Sequence, residues 1–357
     1  MIPHPQPADP AQNLFPGWAL FRRSVTIAIL SYTVTLTFLF LVMEITGERC
    51  WPAAVLLYLP QPLFLLPLIV LIPAALLAEA SQRDYATLAG SLIIFFWHQP
   101  FYPGMSGSPG RVRIKLITNN YSQNHGLRVQ PFIDAENPDF VVLEDAYNQC
   151  QAFQRSYPQR TVCGAGQFVF ISKVPVKSVT LLDWPSWRGA PVAAVFVVPW
   201  QGEDVAIYAT HLPTPRMDFA KLAGLGILKE VAGRNRRRSD NMSFGESMTA
   251  RVQLARDLAG VFAREKRPFV ALGDFNMPSD GYVHRVITWG LADCFAQVGH
   301  GFGFTFPCDR RNPLTLGNPW LRLDYILGGP GWRAEECRAE PDRRAKHRAV
   351  VATLTRD

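Results

Sequence analysis

At 357 residues the chain exceeds the usual size of one domain, and its formal net charge of +7 makes it basic, so at least two structural units and anionic partners are expected. Hydrophobic residues are concentrated before residue 100, and the remainder carries the mixed charge of an ordinary soluble domain. None of the six cysteines sits in a Cys-x-x-Cys or Cys/His pattern, which argues against a structural zinc site.

In chain order, residues 1–23 form a proline-rich lead-in without periodicity, read as disordered or interfacial. Ser24 to Met43, "SVTIAILSYTVTLTFLFLVM", contains no charge and is long enough to cross a bilayer. It follows Arg22 and Arg23 and lacks a small-residue cleavage site, so it reads as a retained span. A second apolar run, Ala53 to Ala80, is interrupted by "LPQPL", which predicts a kinked or re-entrant helix. A third, from Tyr85, is short: either a span or an interfacial helix. Residues 24–97 are therefore assigned to a membrane region of three helices. Arg22 and Arg23 precede the first span, while Glu44, Glu48 and Arg49 follow it, which places the N-terminus in the cytoplasm. Three spans then put the C-terminal part outside, and two would leave it inside. Residues 98–110, rich in Pro, Gly and Ser, form the linker to a domain over 111–357.

Within that domain, short β-type runs alternate with loops: "RVRIKLIT", "DFVVLE", "QFVFIS", "VAAVFVV", "DVAIYAT", "PFVALGD", "LRLDYIL" and "AVVATL". A helix is expected over Ser247 to Lys266, where Val252, Leu254, Ala255, Leu258, Val261 and Phe262 form a wide apolar stripe. Many strands with few intervening helices predict an α+β sandwich of two sheets rather than a doubly wound parallel sheet. Cys150 with Cys163, and Cys294 with Cys308, are spaced for short-loop disulfides in an oxidising compartment, and equally read as unpaired thiols. The Arg-rich runs Arg234 to Asp240 and Asp342 to Arg348 suit nucleic acid, phospholipid head groups or phosphorylated substrates, or are solvated loops.

Several strands end in polar residues of related chemistry: Asn119 and Asn120, Glu144 and Asp145, His211, Asp274 and Asn276. Asp324 lies within the apolar run Leu321 to Leu327, and His347 precedes the last strand. A buried acid in such a run is costly unless it is paired or bound to a metal. Phosphate-ester hydrolysis needs a hard cation on oxygen ligands, a base for water, and donors for the phosphoryl oxygens. Two carboxylates on different strands, an amide and two histidines match those needs.

The segments "LE", "THL", "GDFN", "LDYI" and "HRAVV", in this order between Arg111 and Thr355, resemble the endonuclease/exonuclease/phosphatase superfamily of DNase I-like hydrolases. The resemblance implies a four-layered α/β sandwich and metal-dependent hydrolysis of phosphate esters, with Mg²⁺ as the cofactor and Mn²⁺ as the alternative. It implies Asn120 and Glu144 at the metal, Asp274 orienting or deprotonating water, Asn276 holding a phosphate oxygen and His211 contacting the scissile phosphate. Asp324 orients the second histidine or assists the metal, and His347 stabilises the developing charge or acts as an acid. Two positions depart from the pattern. Lys346 stands where an acid usually precedes the last histidine, so His347 is expected to rely on Asp324 or Asp342; Ser122 replaces a further acid, implying a lighter metal site.

The reading is thus a multi-pass phosphoesterase of a bacterial cytoplasmic membrane, its catalytic domain extracytoplasmic. Its partners are the lipid bilayer and a phosphorylated substrate, lipid-linked or nucleic acid, with no obligate protein partner evident. A nuclease, or a tethered binding module with reduced catalysis, are the alternatives.

Overall fold

A computed structural model describes residues 17–122, 128–184, 191–215, 219, 222, 226–231, 242–309, 312–341 and 343–357. The run Arg234 to Arg238 and Asp342 lie outside them. The chain divides into two compact units, Met1–Val42 with Gln61–Gln99, and Met43–Pro60 with Pro100–Asp357. Residues 43–60, expected in the membrane region, thus group with the soluble part.

The first unit holds most of α1 (Trp18–Thr46), with α3 (Leu68–Leu77) and α4 (Gln82–His98); α2 (Trp51–Tyr58) belongs to the second. Among the described residues, α1 is the one helix long and apolar enough to cross a membrane. A second span results only if the helices on either side of Leu59 and Pro60 are counted as one broken span. Val25 and Ile29 of α1 pack with Leu68, Ala75 and Leu88. Leu20, Ile27, Leu30, Val34, Phe38 and Leu41 stay exposed. A capping box between Ser81 and Asp84 starts α4.

Among the described residues, the second unit has fourteen strands. In chain order these are β1 (Tyr102–Pro103), β2 (Val112–Asn120), β3 (Phe140–Glu144), β4 (Thr161–Ala165), β5 (Phe168–Ser172), β6 (Ser178–Leu182) and β7 (Ala193–Trp200). There follow β8 (Glu203–His211), β9 (Phe269–Asp274), β10 (Ala292–Asp293), β11 (His300–Gly301), β12 (Asp324–Gly328), β13 (Arg333–Ala339) and β14 (Val350–Arg356). One six-stranded sheet runs β13-β14-β2-β3-β5-β4 and the other β10-β12-β9-β8-β7-β6; β1 and β11 pair separately. Both are mixed, with parallel β2/β3 and β8/β9 pairs and antiparallel neighbours.

The inner faces meet in one core, with Leu116, Phe140 and Phe170 from one sheet against Phe196, Ile207 and Leu272 from the other. Each such buried side chain contributes roughly 1.5–3 kcal/mol. Outside the second sheet lies the helix Phe244–Arg264, whose Val252, Ala255, Leu258 and Phe262 face Tyr208, Phe269 and Ala271. A capping box, Ser243 with Glu246, satisfies its first free N–H groups. Outside the first sheet lie α5 (Gln130–Glu136) and α6 (Cys150–Ser156), contributing Ile133 and Phe153. Helix, sheet, sheet, helix is the four-layered DNase I-like sandwich that the sequence predicts. All six cysteines are free thiols.

The eight strand runs read from the sequence are present. "LRLDYIL" differs in its start: β12 begins at Asp324, because Leu321 pairs instead with Phe306 in an isolated bridge. The acid therefore stands at the mouth of its strand.

A buried ion pair braces this sheet: Arg322 meets both Asp293 oxygens, at 2.9 and 2.8 Å, and stacks 4.4 Å from the Tyr325 ring centroid. Burial alone would raise the pKa of Asp293, but the Arg322 charge and the His284 hydrogen bond outweigh it and hold the carboxyl well below its usual range. A depressed carboxylate pKa gives stability that is full above the unfolded value and lost as pH falls through the folded one. Asp293→Ala is expected to cost about 3–5 kcal/mol, because it strands a buried guanidinium, and to weaken the dependence of stability on acid pH. Denaturant unfolding at pH 7 and at acid pH measures both.

Candidate active site

Strand register assembles the polar cluster. Asn120 pairs with Glu144 across β2/β3, His211 with Asp274 across β8/β9, and Asp274 with Asp324 across β9/β12. Val350 of β14 pairs with Thr118, which sets His347, three residues earlier, at the same end of the first sheet. All seven residues singled out in the sequence thus gather at one end of the sandwich. Asn120 Nδ2 joins the two sheets by donating to Asp274 Oδ2 at 2.8 Å.

The glycine of "GDFN" has a steric reason. Gly273 has φ +146°, and an added Cβ would lie 1.8 Å from the Thr210 carbonyl oxygen. Asn276 also adopts a left-handed conformation, φ +49°, which asparagine tolerates better than most residues. Its backbone N–H donates to Asp274 Oδ1 at 2.9 Å. Its amide nitrogen donates to the Leu212 carbonyl at 2.9 Å and to Asp274 Oδ2 at 3.3 Å. The group read as a phosphate holder is therefore committed to orienting Asp274.

Asp274 is 1% exposed. Burial raises its pKa, opposed by His347 and by the Asn120 and Asn276 hydrogen bonds. Its Oδ2 lies 3.7 Å from Nε2 of both His211 and His347. His347 Nδ1 bonds Asp324 Oδ2 at 3.0 Å, and its ring stacks against half-buried Phe306 with centroids 4.6 Å apart. Burial works against a charged imidazole, but Asp324 and Asp274 outweigh it and raise its pKa. Asp324 is thus the acid partner of His347. Lys346 offers its backbone carbonyl to Cys308 N–H at 3.0 Å.

His211 behaves oppositely: burial lowers its pKa to about 4, so it is neutral at pH 7. Its tautomer follows from a residue that the sequence reading missed. Gln167 donates Nε2 to the Pro191 carbonyl at 2.7 Å, so its Oε1, 2.5 Å from His211 Nδ1, must accept from that nitrogen. The lone pair of His211 is then on Nε2, towards Asp274.

Glu144 is fully buried, and burial lifts its pKa well above the usual range, with the Asp324 and Asp274 charges adding to the shift. Thr118 Oγ1 donates to its Oε1 at 2.5 Å. Glu144 Oε2 and Asp324 Oδ1 are buried without a hydrogen-bond partner. Orphaned carboxylate oxygens among three mutually repelling acids fit a hard divalent cation. Asp274, Asp324 and His347 also bring ligand atoms within 4.8 Å of one another. Asn120 Oδ1, in contrast, accepts from Ser122 N–H and Oγ, each at 3.0 Å.

Arg251 is buried and donates to the backbone carbonyls of Pro213, Phe275 and Asn276. Phe304 and Phe306 are half-buried.

Two packed sheets thus bring acids, amides and imidazoles together at one end of the sandwich. The Endonuclease/Exonuclease/phosphatase family model matches residues 117–346, close to two thirds of the chain, and the chain belongs to that family. It is a metal-dependent phosphoric ester hydrolase. Comparison with curated protein sequences gives no match. Among solved structures, an endonuclease/exonuclease/phosphatase from Beutenbergia cavernae is 18% identical with a TM-score of 0.46, covering 69% of this chain and 72% of its own. A Neisseria 3′ phosphatase, NExo, bound to a product DNA hairpin, is 18% identical with a TM-score of 0.47, covering 67% and 98%. Truncated TDP2 of Caenorhabditis elegans is 14% identical with a TM-score of 0.47, covering 68% and 97%.

Proposed function

We propose that the protein is a membrane-anchored phosphoesterase that hydrolyses lipid-linked phosphates with Mg²⁺ or Mn²⁺. The observation that carries this reading is α1, long and apolar enough to cross a membrane, with Leu20, Ile27, Leu30, Val34, Phe38 and Leu41 exposed and its last residues in the catalytic unit. A site tethered beside a bilayer meets lipid phosphates at high effective concentration.

Glu144 and Asp324, with Asn120 beside them, would hold the cation. When bound, it polarises the phosphoryl oxygens and offsets the charge of the three acids. Asp274, its carboxylate made more basic by burial, takes the proton of the attacking water. Asn120 and Asn276 fix the direction of that carboxylate. His347, kept protonated by Asp324, donates from Nε2 to a phosphoryl oxygen as negative charge grows. Neutral His211 presents Nε2 to the same water and is oriented by Gln167.

The grouping of residues 43–60 with 100–357 supports an extracytoplasmic catalytic unit. With Arg22 and Arg23 cytoplasmic, α1 delivers residues 43–60, and so the catalytic unit, to the extracytoplasmic side of a bacterial membrane. Residues 61–99 then return by two further passes or by a re-entrant course. A reporter fused after Asp357 that is active only outside the cytoplasm is expected to be active; an inactive reporter would refute this topology.

The functional test is a panel on detergent-purified full-length chain: phosphate release from solubilised lipid phosphates, and plasmid nicking, each with Mg²⁺, Mn²⁺ or EDTA, beside Asp274→Ala. Lipid-phosphate turnover that EDTA abolishes is expected. Activity confined to nucleic acid, with a steep salt dependence, would instead establish the nuclease reading, which the Arg234 to Arg238 run favours.

A further inference from the structure

The short helix α2 reaches the catalytic turn. Tyr58, its last residue, donates its hydroxyl to the Asn276 carbonyl at 2.7 Å. Trp320 Nε1 donates in turn to the Tyr58 carbonyl at 3.4 Å, and the phenol ring meets Phe219 edge-on. The Asn276 carbonyl also accepts from Arg251 Nη2, which reaches the Phe275 carbonyl at 3.1 Å. Each carbonyl belongs to a different peptide plane. The Phe275 carbonyl shares its plane with the Asn276 N–H that holds Asp274 Oδ1, and the Asn276 carbonyl lies in the next. Fixing both planes fixes φ and ψ of Asn276 in the left-handed region, which a non-glycine residue occupies at a cost.

The segment that carries Tyr58 is built into the unit. Glu48 Oε2 accepts the Val283 N–H at 3.1 Å, at the start of the helix Tyr282–Thr288. Position 281 must be glycine for this approach, since a Cβ there would lie 2.4 Å from Glu48 Oε1. The Arg49 guanidinium stacks 4.2 Å from the Tyr282 ring centroid, and Ala53, Ala54 and Leu57 are buried, Ala54 against Phe244 and Met248.

We propose that Tyr58 is a positioning residue of the catalytic site: its hydroxyl, with Arg251, holds the turn at Asn276 and so the aim of Asp274. The inference rests on the reading of Asp274 as the base. It makes the catalytic module discontinuous, because a residue inside the second apolar run completes a turn more than two hundred residues later in the chain.

The test is steady-state hydrolysis of bis-p-nitrophenyl phosphate by the full-length chain, with Tyr58→Phe, Asp274→Asn and Tyr32→Phe measured beside wild type. Tyr32, whose hydroxyl bonds the Phe64 carbonyl at 3.0 Å in the first unit, controls for loss of a tyrosine hydroxyl. Tyr58→Phe is expected to lower kcat about fivefold, the worth of one hydrogen bond, with KM unchanged, Tm lowered by only a few degrees and Tyr32→Phe at the wild-type rate. A lower Tm with kcat unchanged would reduce Tyr58 to a structural residue and overturn the proposal. Unchanged kcat in Tyr58→Phe beside an inactive Asp274→Asn would overturn it while leaving the site reading intact. An active Asp274→Asn would remove both.

Discussion

Asp274→Asn is expected to lower kcat/KM about a thousandfold, within the range that a positioned general base contributes, while leaving the protein folded. Asn retains an oxygen that can accept from the Asn276 N–H, as Asp274 Oδ1 does at 2.9 Å. What it lacks is basicity. The substitution also removes one of three buried charges that repel one another, since Asp274 and Asp324 both raise the pKa of Glu144. Against that gain, the Asn Nδ2 faces the Asn120 and Asn276 amide donors that Asp274 Oδ2 accepts from, so stability should fall by about 1–3 kcal/mol, and the catalytic loss should appear in kcat with little change in KM, because a base acts in the transition state. Kinetics and thermal unfolding on the same preparations measure both. A loss of less than tenfold would show that the proton leaves the water by another route, with His211 Nε2, 3.7 Å from Asp274 Oδ2, the group in reach.

Which parts of this architecture could be read from the sequence depends on burial and range. β3, β5 and β9 are buried at every residue, so they appear as nearly unbroken apolar runs, and β3 and β9 end in polar residues of the candidate site, Glu144 and Asp274. β13 reads "RAEECRA" and β6 is exposed at four of its five positions, so neither carries such a run; both lie at sheet edges, where one side needs no partner. The seven candidate residues come together because each stands at a strand end or within three residues of one, and β pairing aligns strand ends. Gln167 was not legible, since its role comes from two contacts, to Pro191 and His211, made across loops rather than by local pattern. Tyr58 was hidden differently: inside an apolar run it reads as a membrane residue, and only the folded chain sets its hydroxyl against Asn276. Asn276 itself was found while its geometry was not, because an amide that holds phosphate and one that holds a carboxylate are the same letter in the sequence.

Glu144→Gln separates the two possible homes of the metal ion. In the wild-type chain without metal, Glu144 carries an unpartnered buried oxygen beside Asp274 and Asp324, with its pKa well above the usual range. A carboxyl whose folded pKa is raised binds more protons folded than unfolded, so it lowers stability as pH rises from the unfolded value through the folded one. Gln cannot ionise, so the metal-free variant is expected to be more stable than metal-free wild type at neutral pH, with the difference shrinking towards acid. Added Mg²⁺ or Mn²⁺ should reverse the order. An ion held at one hundred times its dissociation constant stabilises wild type by about 2.7 kcal/mol, and this gain should itself grow with pH because the cation displaces a proton. The variant should lose most of that gain and about a hundredfold or more in kcat, since metal polarisation is worth several kcal/mol. Thermal unfolding across pH, with and without the ion, reads the binding independently of activity. The competing assignment is the trio Asp274, Asp324 and His347, whose ligand atoms lie within 4.8 Å of one another. That trio predicts full metal stabilisation in Glu144→Gln. Hard cations prefer oxygen to imidazole nitrogen, and His347 Nδ1 is already bonded to Asp324, so the carboxylate with a free buried oxygen is the stronger ligand.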